Sequence, residues 1–383
     1  MGTIDDLLGM IEDAIGSGYA ARACDVPDMT DQIWIPTGIP FVDYGWGLGY
    51  PLGKFIELSG KESTGKSLLA SVILTAHQRT CASCYKPLEA MDPVTGEIEA
   101  VACCRNPEPM ACAWIDVEKS LDTQWLQRFG VDTDSLLAMR PETAEACVDV
   151  IELLLESGKI GCLVLDSLAQ MAPTVEITGE AGDQNRALLA RLMSRSCRTW
   201  QSRNNLGTMG GRRGASVVII NQIRTNPGQT YGNPEYTPGG QAVPHICSIR
   251  AQLKRVHDKD KHPNGLIPES NGRPYGVRLA LTAKKNKVAT PRAGGAFNLY
   301  WRDSKGKRAG TTDYAEQILC LAGFWGLVTQ SGNWYTYRGV KLGNGKKAAA
   351  TALSEDKTLL VALAKRVRCK ENAWALNEED GDA

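Results

Sequence analysis

Gly60-Lys61-Glu62-Ser63-Thr64-Gly65-Lys66-Ser67 spell the pattern G-x-x-x-x-G-K-S, and the chemistry of that pattern is phosphate binding. The apolar run Phe55 to Leu58 precedes it and a helix-like stretch, Leu68 to Gln78, follows. In that setting backbone N–H groups and a helix N-terminus converge on an anion. Lys66 is then expected to reach the β- and γ-phosphates of a nucleoside triphosphate, with the Ser67 hydroxyl on Mg²⁺. Gly161 to Leu165 is an apolar strand ending in Asp166, an acid placed to hold Mg²⁺ through water. Ala113 to Val117 is a second strand with acids at its end. There Glu118 is the candidate for orienting an attacking water, and Asp116 reads as a buried acid satisfied by hydrogen bonds.

Those residues need a scaffold that brings strand ends together. Between Ile33 and about Arg302, strand-like runs at Lys54–Ser59, Ala113–Val117, Cys162–Leu165, Ser216–Asn221, Ile246–Leu253 and Val277–Thr282 alternate with helical stretches. The alternation predicts an α/β fold, a largely parallel sheet covered on both faces. Glycine- and proline-rich segments at 205–214, 225–244 and 258–276 are candidate mobile loops. Before the core, Ile4, Leu7, Leu8, Ile11 and Ile15 recur at helical spacing, an amphipathic helix in search of a surface. After it, Tyr314–Ala322 reads as a helix, Trp334-Tyr335-Thr336-Tyr337 as part of a strand pair, and a closing helix follows.

Composition sets further limits. The 383 residues, 43% hydrophobic, suffice for one large core and smaller domains, and no apolar run is long enough for a membrane span. An acidic, amphipathic N-terminus differs from a signal peptide, so a soluble, cytoplasmic protein is expected. The charges balance at 43 basic and 43 acidic residues, but unevenly along the chain. Gln184 to Asp260 holds twelve Lys and Arg against Glu235, Asp258 and Asp260, while the last thirteen residues carry five carboxylates and no base. A polyanion site in the middle and a competing acidic tail fit this distribution. A solvated helix face is the alternative reading for Arg186 to Arg203.

Among the 12 cysteines, Cys162, Cys197, Cys247 and Cys320 sit singly in apolar runs, as small core residues do. Residues 81–112 differ: Cys81-Ala82-Ser83-Cys84 begins the segment, a turn lies at Pro93 to Glu97, and Cys103-Cys104 closes it. A Cys-x-x-Cys knuckle, a hairpin and a second cysteine pair suit tetrahedral Zn²⁺ held by Cys81, Cys84 and two of Cys103, Cys104 and Cys112. A disulfide and free thiols are the alternatives.

Taken in order, Lys61 to Ser67, Ile115 to Glu118 with Leu121-Asp122, Leu165-Asp166-Ser167, Asn221 to Arg224, and Gly232 to Glu235 with Gly239-Gly240 closely resemble the RecA homologous-recombination family. The resemblance runs from about residue 3 to about residue 370. It implies a RecA-like P-loop ATPase core with a mostly parallel central sheet at 33–310, an N-terminal oligomerisation helix within 1–32, a small α+β DNA-capture domain at 311–370 and an acidic tail at 371–383. Carried over residue by residue, Gly60, Lys61, Glu62, Ser63, Thr64, Gly65, Lys66 and Ser67 bind ATP, Ser67 and Asp166 serve Mg²⁺, and Glu118 positions water. Trp125 stacks on adenine and Asp122 reads the base. Gln222 senses the γ-phosphate, and Lys285 and Lys287 reach the neighbouring subunit's ATP.

Two DNA loops correspond to 177–198 and 224–241, implying DNA contacts from Arg186, Arg191, Arg198, Arg224, Gly239 and Gly240. Arg186 and Pro227 stand where the family inserts apolar wedges between bases, and 206–214 is longer than the usual connector. Lys341, Lys346 and Lys347 in the last domain read either as duplex-capturing or as solvated lysines. The expected function is an ATP-dependent DNA recombinase that forms a helical homo-oligomer on single-stranded DNA and pairs it with homologous double-stranded DNA. The rival readings are a ring ATPase or helicase motor and an ATP-binding DNA scaffold.

Overall fold

The structure is a computed structural model that describes residues 3–15, 32–91, 97–178, 185–206, 213–225, 235–257, 263–269, 272–290 and 292–375. The chain forms two units, residues 1–33 and 34–383. The first contains helix α1 (Ile4–Ile15), which starts at Thr3, whose side chain accepts the N–H of Asp6. Of its stripe, Ile4 is 61%, Leu7 55% and Ile11 37% exposed, Leu8 is half-buried, and the Ile15 side chain lies outside the described residues.

The second unit opens with a two-stranded pair, β1 (Trp34–Ile35) and β2 (Tyr50–Pro51), bracketing α2 (Pro40–Trp46). Then come β3 (Phe55–Gly60), α3 (Lys66–Gln78), the hairpin β4 (Glu89–Met91) and β5 (Ile98–Ala100), β6 (Ala111–Asp116), α4 (Thr123–Arg128) and β7 (Leu136–Met139). Next are α5 (Ala144–Ser157), β8 (Ile160–Asp166), α6 (Thr174–Thr178), α7 (Asn185–Leu206) and β9 (Ser216–Gln222). A small pair, β10 (Arg224–Thr225) and β11 (Glu235–Tyr236), leads to α8 (Ala242–Ile246) and β12 (Ile249–Arg255). The core ends with β13 (Leu266–Pro268), β14 (Pro274–Asn286) and β15 (Ala293–Tyr300).

Nine of these strands make one sheet, ordered β13-β14-β12-β3-β9-β8-β6-β7 with β15 on β14. The six strands from β12 to β7 are parallel, and β13, β14 and β15 add antiparallel pairings. All six residues of β3 are buried, because a central parallel strand is covered on both faces and therefore reads as a continuous apolar run. On one face α5 and α7 bring Ile151, Leu155, Met193 and Trp200 against Ile115, Leu165 and Ile219. Buried α3 covers the other, and its capping Gly65 has φ 80, a conformation a Cβ makes costly. Cys147, Cys162, Cys197 and Cys247 are buried thiols of this core, whereas Cys320 is half-buried.

The strands extend or shift relative to sequence expectation. Ile246 closes α8 instead of opening a strand, and β12 begins at Ile249, after Ser248 donates to Phe55 O at 2.8 Å. The segments expected to be loops contain β10, β11, α8 and β13, while 207–212, 226–234, 258–262 and 270–271 lie outside the described residues.

Beyond the core, α9 (Tyr314–Phe324) packs on a three-stranded sheet, β16 (Val328–Ser331), β17 (Trp334–Tyr337) and β18 (Val340–Asn344), and on two helices, α10 (Lys346–Glu355) and α11 (Lys357–Ala375). The expected strand pair is thus a triplet and the closing helix a pair. Leu319, Ala322, Leu353, Leu363 and Val367 form their common core. α11 runs to Ala375 and buries Glu371, so the first residue of the expected acidic tail is a packed helix residue; Glu378, Glu379, Asp380 and Asp382 lie outside the described residues. No helix among the described residues is long and apolar enough to cross a membrane.

Candidate nucleotide and nucleic-acid site

Register brings the strand ends together. Gly60 at the end of β3 stands opposite Gln222 at the end of β9, and Asp166 of β8 opposite Asp116 of β6. The phosphate loop, Asp166, Glu118 and Gln222 line one cleft of about 670 Å³, in the place where open α/β sheets bind ligands. Ser67 Oγ donates to Asp166 Oδ2 at 2.8 Å. Lys66 Nζ donates to the carbonyls of Gly60 (3.1 Å) and Lys61 (2.9 Å), within its own loop. Burial lowers the Lys66 pKa, while the carboxylates of Asp166, Glu118 and Glu62 pull the other way. Asp166 is pushed up to about 6, first by burial and then by Glu118 and Asp116, with Ser67 and Lys66 opposing. The pocket therefore carries clustered acid beside the hydroxyl, a donor set suited to a hard divalent cation.

Glu118 Oε1 accepts two bonds, from Ser167 Oγ at 2.6 Å and Gln222 Nε2 at 3.1 Å. Asp116 takes the N–H groups of Ser120 (3.0 Å) and Leu121 (3.1 Å) and the guanidinium of Arg140 (3.0 Å). That set makes it a structural acid, holding the turn that carries Glu118. Trp125 lines the cleft beside Trp301, with ring centroids 6.4 Å apart. Asp122 caps α4 instead, its Oδ1 accepting Trp125 N–H at 3.1 Å, and it is not among the residues lining the cleft.

Sequence reasoning missed Trp301 and Arg255, and it gave Ser167 and Asn221, which stand in its motifs, no role of their own. Arg255 ends β12 at the same cleft, and its Nε has no hydrogen-bond partner among the described residues. A basic residue closing an apolar strand was the available signal. Asn221 Nδ2 donates to buried Glu57 and to Pro238 O, both at 3.0 Å, tying β9 to the segment after β11.

Lys285 and Lys287 are not brought to this cleft. Lys285 pairs with Arg250, which pairs with Glu57, three residues before Gly60. Lys285 Nζ donates to the Pro244 and His245 carbonyls in the last turn of α8, and Lys287 is exposed. The Lys285 pKa is lowered, by burial first and then by Lys287.

A second cleft, of about 1110 Å³, gathers Arg224, Gly239 and Gly240 beside Ala190 of α7. Gly239 and Gly240 have φ 94 and 70, and a Cβ on Gly240 would stand 3.1 Å from that of Ala190. Arg224 Nη2 donates to Ala169 O at 3.3 Å. On α7, Arg191 and Arg198 are exposed together with Arg195, a residue the sequence reading left out, and the i, i+4, i+7 spacing puts them on one face. Arg186 lies in α7, but its side chain, like Pro227, falls outside the described residues. In the last domain Lys346 pairs with Glu316 at 2.8 Å, Lys341 Nζ sits 5.0 Å from the Trp334 ring centre, and Lys347 is exposed.

Outside the linings of both clefts, Cys81, Cys84, Cys103 and Cys104 bring their sulfurs within 4.8 Å of one another. Cys112 is excluded, contrary to one expected pairing: it is buried in β6 opposite Cys162 and donates to Met110 O.

A glycine-rich loop between a buried parallel strand and a helix, with an acid closing a neighbouring strand, defines the P-loop nucleotide-binding class on a RecA-like α/β core. Residues 89–305 match the family model for the RecA N-terminal domain, and 317–372 that for the RecA C-terminal domain. Protein RecA of Thermus thermophilus is 31% identical over 382 residues, covering 99% of this chain and 98% of that protein. Protein RecA of Synechocystis is 30% identical over 378 residues (98% and 93%), and that of Bifidobacterium longum 28% over 384 residues (99% and 84%). The chain belongs to the RecA family. Its domain match begins beyond the phosphate loop, which the full-length relatives span.

Proposed function

We propose that this protein is an ATP-dependent recombinase that assembles as a helical filament on single-stranded DNA, pairs it with a homologous duplex and hydrolyses ATP to release it. The observation that carries the reading is the continuity from Glu118 through Gln222 to Arg224. One amide touches the water-positioning carboxylate, and two residues later the chain enters the pair β10–β11 that flanks the second DNA loop. Occupancy of the phosphate site is thereby linked to the conformation of a DNA-binding segment, a switch of the order–disorder type.

In this reading Gly60 to Ser67 bind the phosphates, Ser67 and Asp166 hold Mg²⁺, Glu118 orients water and Trp125 packs on the base. Mg²⁺ would supply neutralisation of the charge that develops on the phosphoryl oxygens. The register of Lys285 and Lys287, away from their own chain's phosphate loop, favours action on a neighbouring subunit. Arg191, Arg195, Arg198 and Arg224 are assigned to DNA phosphates, with N–H groups at Gly239 and Gly240 assisting. α1, with Ile4, Leu7 and Ile11 exposed, is assigned to subunit docking.

Electron microscopy with single-stranded DNA and a non-hydrolysable ATP analogue tests this. An open helix of regular pitch is expected; closed rings would favour the motor reading. Particles unchanged by DNA and nucleotide would favour a scaffold.

A further inference from the structure

The segment from Cys81 to Met110 has almost no core of its own. Cys81 and Met110 are buried at its ends, and every described side chain between them is half-buried or exposed. Among its described residues the one regular element is β4–β5, two strands of three residues, with Ile98 46% exposed. A hairpin of that size does not hold itself together in water. The segment is nevertheless closed by backbone pairing of its two ends: Cys81 bridges Pro109, Ala82 N donates to Glu108 O at 2.7 Å and Met110 N donates to Thr80 O at 3.1 Å. Near this pairing, a turn at Cys81 to Tyr85, closed by Tyr85 N–H to Cys81 O at 2.9 Å, meets the Cys103-Cys104 bend that follows β5.

Four thiols meet where the ends cross. Cys81 Sγ and Cys104 Sγ are 3.7 Å apart, and those of Cys103 and Cys104 are 3.8 Å apart. A disulfide would require about 2.05 Å. Tetrahedral zinc with Zn–S of about 2.3 Å places its sulfurs about 3.8 Å from each other. Among the described residues no other group of His, Cys, Asp and Glu gathers its ligand atoms in this way.

We propose that Cys81, Cys84, Cys103 and Cys104 form a structural tetrathiolate zinc site that folds this insertion onto the amino end of the sheet. Zinc takes the four sulfurs as thiolates, so each thiol that starts protonated releases one proton and the finished site bears two negative charges. All four positions are filled by protein, leaving none open for water, so the site serves folding and not catalysis. Its anchor point is Tyr85, next to Cys84, whose hydroxyl accepts Arg213 N–H at 3.0 Å. Arg213 leads into β9, so the zinc knuckle fixes the start of the strand whose other end carries Gln222.

The test is metal analysis of the full chain purified without chelator, alongside Cys84→Ser/Cys103→Ser and a Cys320→Ser control. Near-stoichiometric zinc in wild type and control, lost in the double variant, is expected. Metal-free wild type, iron in place of zinc, or zinc retained by the double variant overturns the site. Should the double variant fail to fold, wild-type protein stripped by a chelator decides the matter. Zinc added back should release protons, about three to four per metal bound near neutral pH, and restore protease resistance between residues 81 and 109. Rebinding without proton release, or unchanged cleavage of stripped protein, refutes it.

Discussion

Gln222→Ala removes a single hydrogen bond, from Nε2 to Glu118 Oε1 at 3.1 Å, and leaves the sheet core untouched, since Gln222 closes β9 and is only half-buried. A bond to a carboxylate contributes about 1.5–3 kcal/mol when well shielded, and partial exposure places this one near the lower figure. If a γ-phosphate competes with Glu118 for the amide, the same group couples nucleotide binding to the chain at Arg224. Loss of about 1.5 kcal/mol of coupling is a factor of about ten. Anisotropy of a labelled oligonucleotide, titrated at one salt concentration with and without a non-hydrolysable ATP analogue, yields the ratio of the two affinities. That ratio is expected to fall about tenfold in Gln222→Ala, with ATP affinity nearly preserved. Gln222→Glu should go further, setting a second carboxylate against Glu118 and against phosphate oxygen. An unaltered ratio in Gln222→Ala, with nucleotide still bound, would refute the coupling through this amide.

Glu118→Gln should keep ATP binding while slowing steady-state phosphate release by about 10²–10⁴, and Lys66→Ala should abolish turnover; normal release by either variant removes its assigned role. Arg191→Ala and Arg198→Ala should each weaken single-stranded DNA binding for all sequences alike and reduce the log–log salt slope by about 0.7, so unchanged slopes would move the DNA site elsewhere. Glu371 of α11 is pushed up to about 8, by burial first and then by Asp43, against the pull of Arg292 and Arg368. A carboxyl with its folded pKa above the unfolded 4.5 binds its proton more tightly when folded. Its contribution is complete below pH 4.5 and is lost as pH rises toward 8, at most about 5 kcal/mol in all. Glu371→Gln should therefore raise the melting temperature more at pH 8 than at pH 5, and equal shifts at both would refute the linkage.

The phosphate loop was legible because its chemistry is local. Eight consecutive residues set the turn, Gly65 supplies the left-handed cap, and the flanking apolar run and helix follow from the same window. Asp166 was legible as an acid closing an apolar strand, and α1 by its period. Strand order, register and partnerships were not, since they join residues far apart in the chain. Glu118 meets Ser167 and Gln222 across 49 and 104 residues only because β6, β8, β9 and β3 lie side by side in the sheet. The same packing turns Lys285 toward the carbonyls of α8 and adds Trp301 to the wall of the cleft. For the cysteines, spacing left Cys103, Cys104 and Cys112 open as partners of the first pair. The choice falls to tertiary structure, because the β6 register buries Cys112 against Cys162 while the paired ends of the insertion carry the other four sulfurs to one point.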